Sequence, residues 1–138
     1  MNTNALAVAI AAKAVGIAGM RGTSAVVPDT IPATPWTIVG PHQGTYEPGN
    51  MDYIRYTFPL RCYVERSADA ARTQTMINAL VDAFVTAYRN GLTYSGTVAQ
   101  GNIIAWNTDL YAEIGEGNYQ VIEFTFAVLV IDTSGHTP

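Results

Sequence analysis

The strongest constraint on the fold lies in residues 52–65, where side chains alternate in character with a period of two. One set is apolar and would face a core: Ile54, Tyr56, Phe58, Leu60, Cys62 and Val64. A period of two indicates a half-buried β-strand, so this stretch predicts one long strand. Pro59 lies inside it and has no main-chain N–H to donate, which predicts a sheet edge or a bulge at that point.

Helical spacing appears on both sides of this strand. A polar residue among 2–4 can cap a first helix that runs to about Gly19. Ser67 is expected to cap a second helix over 68–89, which Asn90-Gly91 would end. The apolar residues of the second helix recur at helical intervals: Ile77, Leu80, Val81, Phe84, Val85 and Tyr88. The first helix is apolar on nearly every side, so it needs cover from its own domain or from a neighbouring subunit.

Two further strands are predicted over 97–114 and 119–132, joined by a Gly-containing turn as a hairpin. A short strand at 36–39 lies inside a long Pro/Gly-rich loop at 21–51, which we expect to order on assembly. The element order is therefore α-β-β-α-β-β. It predicts a single α+β domain over 1–138, with a mostly antiparallel sheet of about four strands and two helices packed on one face. The second face of the last strand is too apolar beyond Thr125 for solvent, so something else should cover it.

The chain is poor in charge. Charged residues make up 13% of it, against about 25% in a typical globular chain, while 49% of it is hydrophobic. Depletion of charge with enrichment in aromatic residues is typical of buried interfaces, although a soluble domain can also be charge-poor. Trp36, Tyr46 and Met51 in the long loop are costly to expose, so we predict that they contact a neighbouring subunit or another partner.

The charges are also unevenly placed. No Lys or Arg follows Arg89, whereas five carboxylates do: Asp109, Glu113, Glu116, Glu123 and Asp132. Phosphate contacts need Lys or Arg, so this third of the chain is not expected to bind nucleic acid specifically. The basic residues Arg55, Arg61 and Arg66 and the acidic residues Glu113, Glu116 and Glu123 form complementary sets. They can pair between neighbouring copies, or across strands within one subunit.

No catalytic or metal site can be assembled from the sequence, and no cofactor is expected. His42 and His136 are the only histidines and lack further ligands at useful spacing. Cys62 lies among the apolar residues of its strand, which predicts a buried core thiol. Residues 132–136 contain nucleophile, base and acid types, but a chain end does not hold them in register. The apolar run at 5–12 is short and is followed by Lys13, which predicts neither a signal peptide nor a membrane span and favours the cytoplasm.

The assembled elements resemble the tail-terminator (tail-completion) proteins of long-tailed bacteriophages. The resemblance extends over nearly the whole chain and is carried by the first helix, the Pro-rich run 27–41, the strand 56–64, the helix 70–88, the stretch 91–96 and the closing strand 123–128. It implies a structural virion protein and no enzyme: a homo-hexameric ring that caps the head-proximal end of a tail tube. The implied partners are the tail tube protein and a head-completion or neck protein.

The resemblance also implies that the ring is assembled in the host cytoplasm and becomes part of the virion tail. Trp36, Tyr46, Met51, Arg55, Arg61 and Arg66 are the candidate subunit or tube contacts. Glu113, Glu116 and Glu123 are the candidates to line a channel through which DNA passes without specific binding. The alternatives are another neck or head–tail joining protein, a minor tail protein, a bacterial secretion-tube component, and a small ligand-binding or enzymatic α+β domain.

Overall fold

A computed structural model describes residues 3–26, 28–47, 50–66, 69–89, 93–94, 97–114 and 117–131. The elements are α1 (Thr3–Val15), β1 (Gly22–Ser24), β2 (Trp36–Val39), β3 (Gln43–Glu47), β4 (Asn50–Glu65), α2 (Ala70–Ala87), β5 (Thr93–Tyr94), β6 (Thr97–Ile114) and β7 (Gly117–Ile131). The α+β class with a mostly antiparallel sheet is confirmed. The predicted four strands and their order differ in detail, because β1, β3 and β5 are additional.

The sheet has the lateral order β1-β2-β4-β7-β6-β5, and β3 pairs with β4 as well. Among the described strands, β1 and β2 are parallel to each other and the other pairs are antiparallel. Residues 21–51 were predicted as a loop with a single strand, but β1 and β3 also lie in that segment. Both strands are short, and their side chains do not alternate between apolar and polar. The sequence therefore gives no sign that their main chain pairs with neighbouring strands.

Pro59 does not mark a sheet edge, which corrects one of the two predicted alternatives. β4 is an inner strand that pairs with β7 on one side, and Pro59 stands opposite Thr125 there. On its other side, β2 pairs only as far as Leu60 and β3 begins only at Thr57. The carbonyl oxygen of Pro59 accepts a 2.8 Å hydrogen bond from the N–H of Gly40. The nitrogen without a hydrogen therefore falls in the gap between β2 and β3, where no donor is needed.

Both helices pack on one face of the sheet, as predicted. The apolar residues of β4 and β7 that face them share one buried cluster with α1 and α2: Tyr56, Phe58, Leu60, Cys62, Val64, Ile122, Phe124, Phe126, Val128 and Val130. Leu6, Ile10 and Ala14 of α1 join this cluster at four-residue intervals, which place them on one side of a helix. The ring of Phe84 in α2 stacks on Phe124 with the centroids 4.3 Å apart.

The helix boundaries differ from the prediction for local reasons. α1 ends at Val15, and the chain continues in tighter turns in which Gly16 and Ile17 each donate to the carbonyl three residues earlier. Glycine is a poor helix former, which explains the early end. The N-cap of α2 is Asp69, whose carboxylate accepts the N–H of Arg72 at 3.2 Å. The predicted cap Ser67 lies outside the described residues.

The second face of the sheet holds a smaller buried cluster. Ile31, from the segment before β2, packs there with Ile38, Tyr63 and Val121. This segment covers the Val121 end of β7. Farther along the same face, Ala127 is buried and Leu129 is half-buried.

Candidate interaction surfaces

Two of the predicted interface charges pair within the chain. Arg61 in β4 stands directly opposite Glu123 in β7, and its Nε donates to a Glu123 carboxylate oxygen at 2.8 Å. Both side chains are about one third exposed, at 37% and 34%. The neighbouring Tyr63 hydroxyl has a pKa above its ordinary value because burial disfavours the phenolate; Arg61 opposes this effect and Glu123 adds to it. This pair therefore forms across strands within one subunit, which is one of the two arrangements predicted from the sequence.

Of the remaining predicted charges, Arg66 and Glu113 lie at one place and Arg55 lies at another. The Arg66 guanidinium lies 4.9 Å from the ring centroid of Tyr111, a cation–π contact at the turn end of the β6–β7 hairpin. Glu113 lines the same shallow depression as Arg66. Arg55 is exposed on β4, between Thr45 of β3 and Leu129 of β7. Glu116 lies outside the described residues.

The three loop residues predicted to dock on a partner also differ in their surroundings. Trp36 is half-buried in β2, where its indole N–H donates to the Ser24 hydroxyl of β1 at 3.0 Å. It therefore stabilises the pairing of β1 with β2 inside one chain. Tyr46 is 43% exposed on β3. Met51 belongs to β4, but its side chain is outside the described part of the structure.

Among the described residues, the most exposed aromatic side chains lie on β6, a predicted strand on which no aromatic contact residue was predicted. Ile104 is 62% exposed, Trp106 50% and Tyr111 58%. From Ile103 to Ile114, β6 pairs with β7 on one side, and none of the described strands pairs with its other side. An open strand edge that carries large apolar side chains is a surface to which another protein chain can bind.

Two β-bulges explain why sequence reasoning missed this surface. The register with β7 shifts between Ile103 and Ala105, and again between Asn107 and Leu110. Each extra residue exchanges the faces on which the following side chains lie. No single alternation therefore runs through 97–114. The adjacent apolar pair Ile103-Ile104 is the one signal that could have indicated the first bulge, because two neighbouring residues of a regular strand cannot both lie on the same face of the sheet.

A second surface feature lies on the opposite edge of the sheet, on the helix side. An open cleft of about 300 Å³ separates the start of α1 from the chain that leaves β2. Its lining residues are Thr3, Asn4, Ala7, Ala25, Val26, Val39, Gly40, Pro41, His42 and Phe58. The imidazole of His42 lies 5.4 Å from the ring of Phe58 and 5.6 Å from that of Tyr56, so it rests on aromatic rings at the rim. His136 is outside the described residues.

Cys62 is a core residue, as predicted. The side chain is fully buried, and burial raises the pKa of the thiol from its ordinary 9.0 to about 12, while a hydrogen bond with Thr37 opposes the shift. A thiol with so high a pKa is almost entirely protonated at neutral pH, and the thiolate is the reactive form. Cys62 is therefore a packing group.

Within the described ranges, no three His, Cys, Asp or Glu residues are grouped closely enough to hold a metal ion. Neither helix of those ranges is long and apolar enough to cross a bilayer. A scan against protein-family models and a search of curated proteins both return no match for this chain. The fold and these surfaces define a charge-poor α+β domain with an open, aromatic sheet edge and a cleft at the other edge.

Proposed function

We propose that this chain is a structural virion subunit that forms a ring on the head-proximal end of a phage tail tube, ends tube growth and joins tail to head. The observation that carries the proposal is the exposed row Ile104, Trp106 and Tyr111 on the open edge of β6. Burying large aromatic and aliphatic side chains is strongly favourable, so such an edge favours association with other protein.

The low charge content supports the same reading. A subunit that contacts two neighbours, a tube and a neck protein has much of its surface covered, and covered surface contains few charges. A ring also needs two different patches, one meeting the other on the next copy. The two edges of this sheet are unlike, as a ring requires, because one carries β6 and the other carries β1 and β3.

The acidic hairpin is proposed to face the channel, where a negative wall repels DNA phosphates and lets DNA pass without binding. Glu113 carries this part of the proposal because it is exposed, and Arg66, which lines the same depression, offsets part of its charge. Glu123 contributes less net charge, since Arg61 pairs with it. A structure of the assembled ring with Glu113 on its outer rim would contradict the channel assignment.

Mass in solution tests the ring itself. Light scattering of the purified chain, alone and with purified tail tubes, should give a closed oligomer or a tube-dependent one. A hexamer is the expected mass, as the resemblance to tail terminators implies. Electron microscopy of the tubes should then place the protein at one tip only; density along the whole tube would favour a minor tail protein. A chain that stays monomeric with tubes present would contradict the proposal.

A further inference from the structure

Trp106 and the edge cleft lie at the same level of the sheet, on opposite edges. Trp106 of β6 is in register with Phe124 of β7, Phe124 with Leu60 of β4, and Leu60 with Val39 of β2. Val39 lines the cleft. A straight line across the strands therefore joins the exposed indole to the cleft.

The two features also share a face. Residues directly opposite each other on paired strands point to the same side of a sheet. Phe124 packs in the core beneath α2, so Trp106 lies on the helix side of β6. The cleft is on the helix side too, because the start of α1 forms one wall and Phe58 contributes to its lining.

We infer that Trp106 of one copy inserts into the edge cleft of the next copy, so that the ring is closed by one repeated contact between unlike edges. This inference rests on the proposed ring and names the contact that builds it. Trp106 is half-exposed in the single chain, and a tryptophan side chain is among the most effective anchors of protein interfaces. The cleft, at about 300 Å³, is at the lower limit for a pocket that binds an organic group.

Strand direction favours the same contact. β6 and β4 both run antiparallel to β7, so they run in one direction. β3 runs opposite to β4, and β1, parallel to β2, also runs opposite to it. When copies are related by rotation about an axis along the strands, β6 of one copy meets the opposite edge of the next in antiparallel orientation. Antiparallel pairing is the slightly more stable arrangement.

A two-fold contact between β6 edges is the competing arrangement. The only charges on β6 are Asp109 and Glu113, so that contact would bring carboxylates of both copies together. The opposite edge has two basic residues, Arg21 immediately before β1 and Arg55 of β4 beside β3, against one acidic residue of β3, Glu47. Charge therefore favours the unlike edges over the like ones.

Two variants separate these arrangements. Trp106→Ala removes the side chain that inserts, and Val26→Arg places bulk and charge on a cleft-lining residue that is 68% exposed. Val15→Arg is the matched control, since Val15 is 62% exposed and lies outside the cleft. Each of the first two variants should raise the concentration at half-assembly by about thirtyfold or more, measured by light scattering with tubes present. Val15→Arg should assemble as the wild type does, and all three should keep its unfolding midpoint.

Mixing the two variants gives the sharpest result. A Trp106→Ala copy keeps its cleft and a Val26→Arg copy keeps its tryptophan, so the mixture should form 1:1 heterodimers that do not close into rings. A two-fold β6 contact predicts instead that Val26→Arg assembles normally. Normal rings from either variant would overturn the inference and leave the proposed ring intact. A wild-type chain that never assembles would overturn both.

Discussion

The hydroxyl of Tyr88 donates a 2.6 Å hydrogen bond to the main-chain carbonyl oxygen of Ile10, which joins the end of α2 to α1 inside the core. Both residues are fully buried. Tyr88→Phe keeps the ring and removes this bond, so the free energy of unfolding should fall by about 1–2 kcal/mol. Urea denaturation measures this change in the free energy of unfolding. Tyr111→Phe, which removes a hydroxyl from an exposed ring, is the control and should change little; equal losses in both variants would contradict this role of Tyr88.

Gly101 lies on the core side of β6, at a position that has no room for a larger residue. A Cβ atom at this position would lie 2.6 Å from Cζ of Phe126, whose ring is fully buried and packs on Tyr88 with the centroids 5.1 Å apart. Gly101→Ala should therefore lower the free energy of unfolding by about 1–3 kcal/mol. Gly16→Ala is the control, since its Cβ would meet only the Lys13 carbonyl oxygen, at 3.6 Å. A stable Gly101→Ala variant would show that Phe126 can move.

The Arg61–Glu123 pair should contribute little to stability despite its 2.8 Å contact. Both side chains are partly exposed, so solvent screens their attraction. A double-mutant cycle with Arg61→Gln and Glu123→Gln should give a coupling energy of about 0.2–1 kcal/mol that declines in 1 M salt. The cycle of Arg61→Gln with Asp82→Asn, on the exposed side of α2, should give none. A coupling that salt leaves unchanged would indicate that the pair is desolvated, for example in an assembly.

Cys62 should make the folded state sensitive to alkaline pH. Its thiol has a pKa of about 12 when folded and about 9.0 when unfolded. The contribution of this thiol to the free energy of unfolding is therefore complete below pH 9 and is lost as the pH rises towards 12. Between pH 8 and pH 10 the free energy of unfolding of the wild type should fall by about 1 kcal/mol more than that of Cys62→Ala. Denaturant titrations at both pH values measure this difference. Tyr63 titrates in both proteins and cancels; identical pH dependence would show that Cys62 is accessible to solvent.

The sequence predicted the elements whose side chains show a regular period. The alternation over 54–64 identified the helix-facing side of β4, and the helical spacing over 77–88 identified the buried face of α2. The hairpin of the last two strands was also confirmed. In each case the burial of many side chains on one face determines the structure, and the same burial sets the pattern in the sequence.

The remaining features depend on the main chain, which leaves little trace in residue type. β1 and β3 are strands because their peptide groups pair with β2 and β4, although their side chains show no alternation. Pro59 indicated a sheet edge or a bulge, yet the interruption between β2 and β3 lets an inner strand accommodate it. The exposed Trp106 was missed for a similar reason, since the register shift between Ile103 and Ala105 decides which face of β6 it occupies.

Those register shifts decide where the hairpin can change in length. Deleting Ile104, the extra residue of the first bulge, would leave regular pairing in which Ala105 still stands opposite Thr125 and Trp106 opposite Phe124. A residue inserted between the two bulges would instead turn the side chains that follow it to the other face of the sheet. Variants of this protein that differ in the length of β6 should therefore gain or lose residues at the bulges.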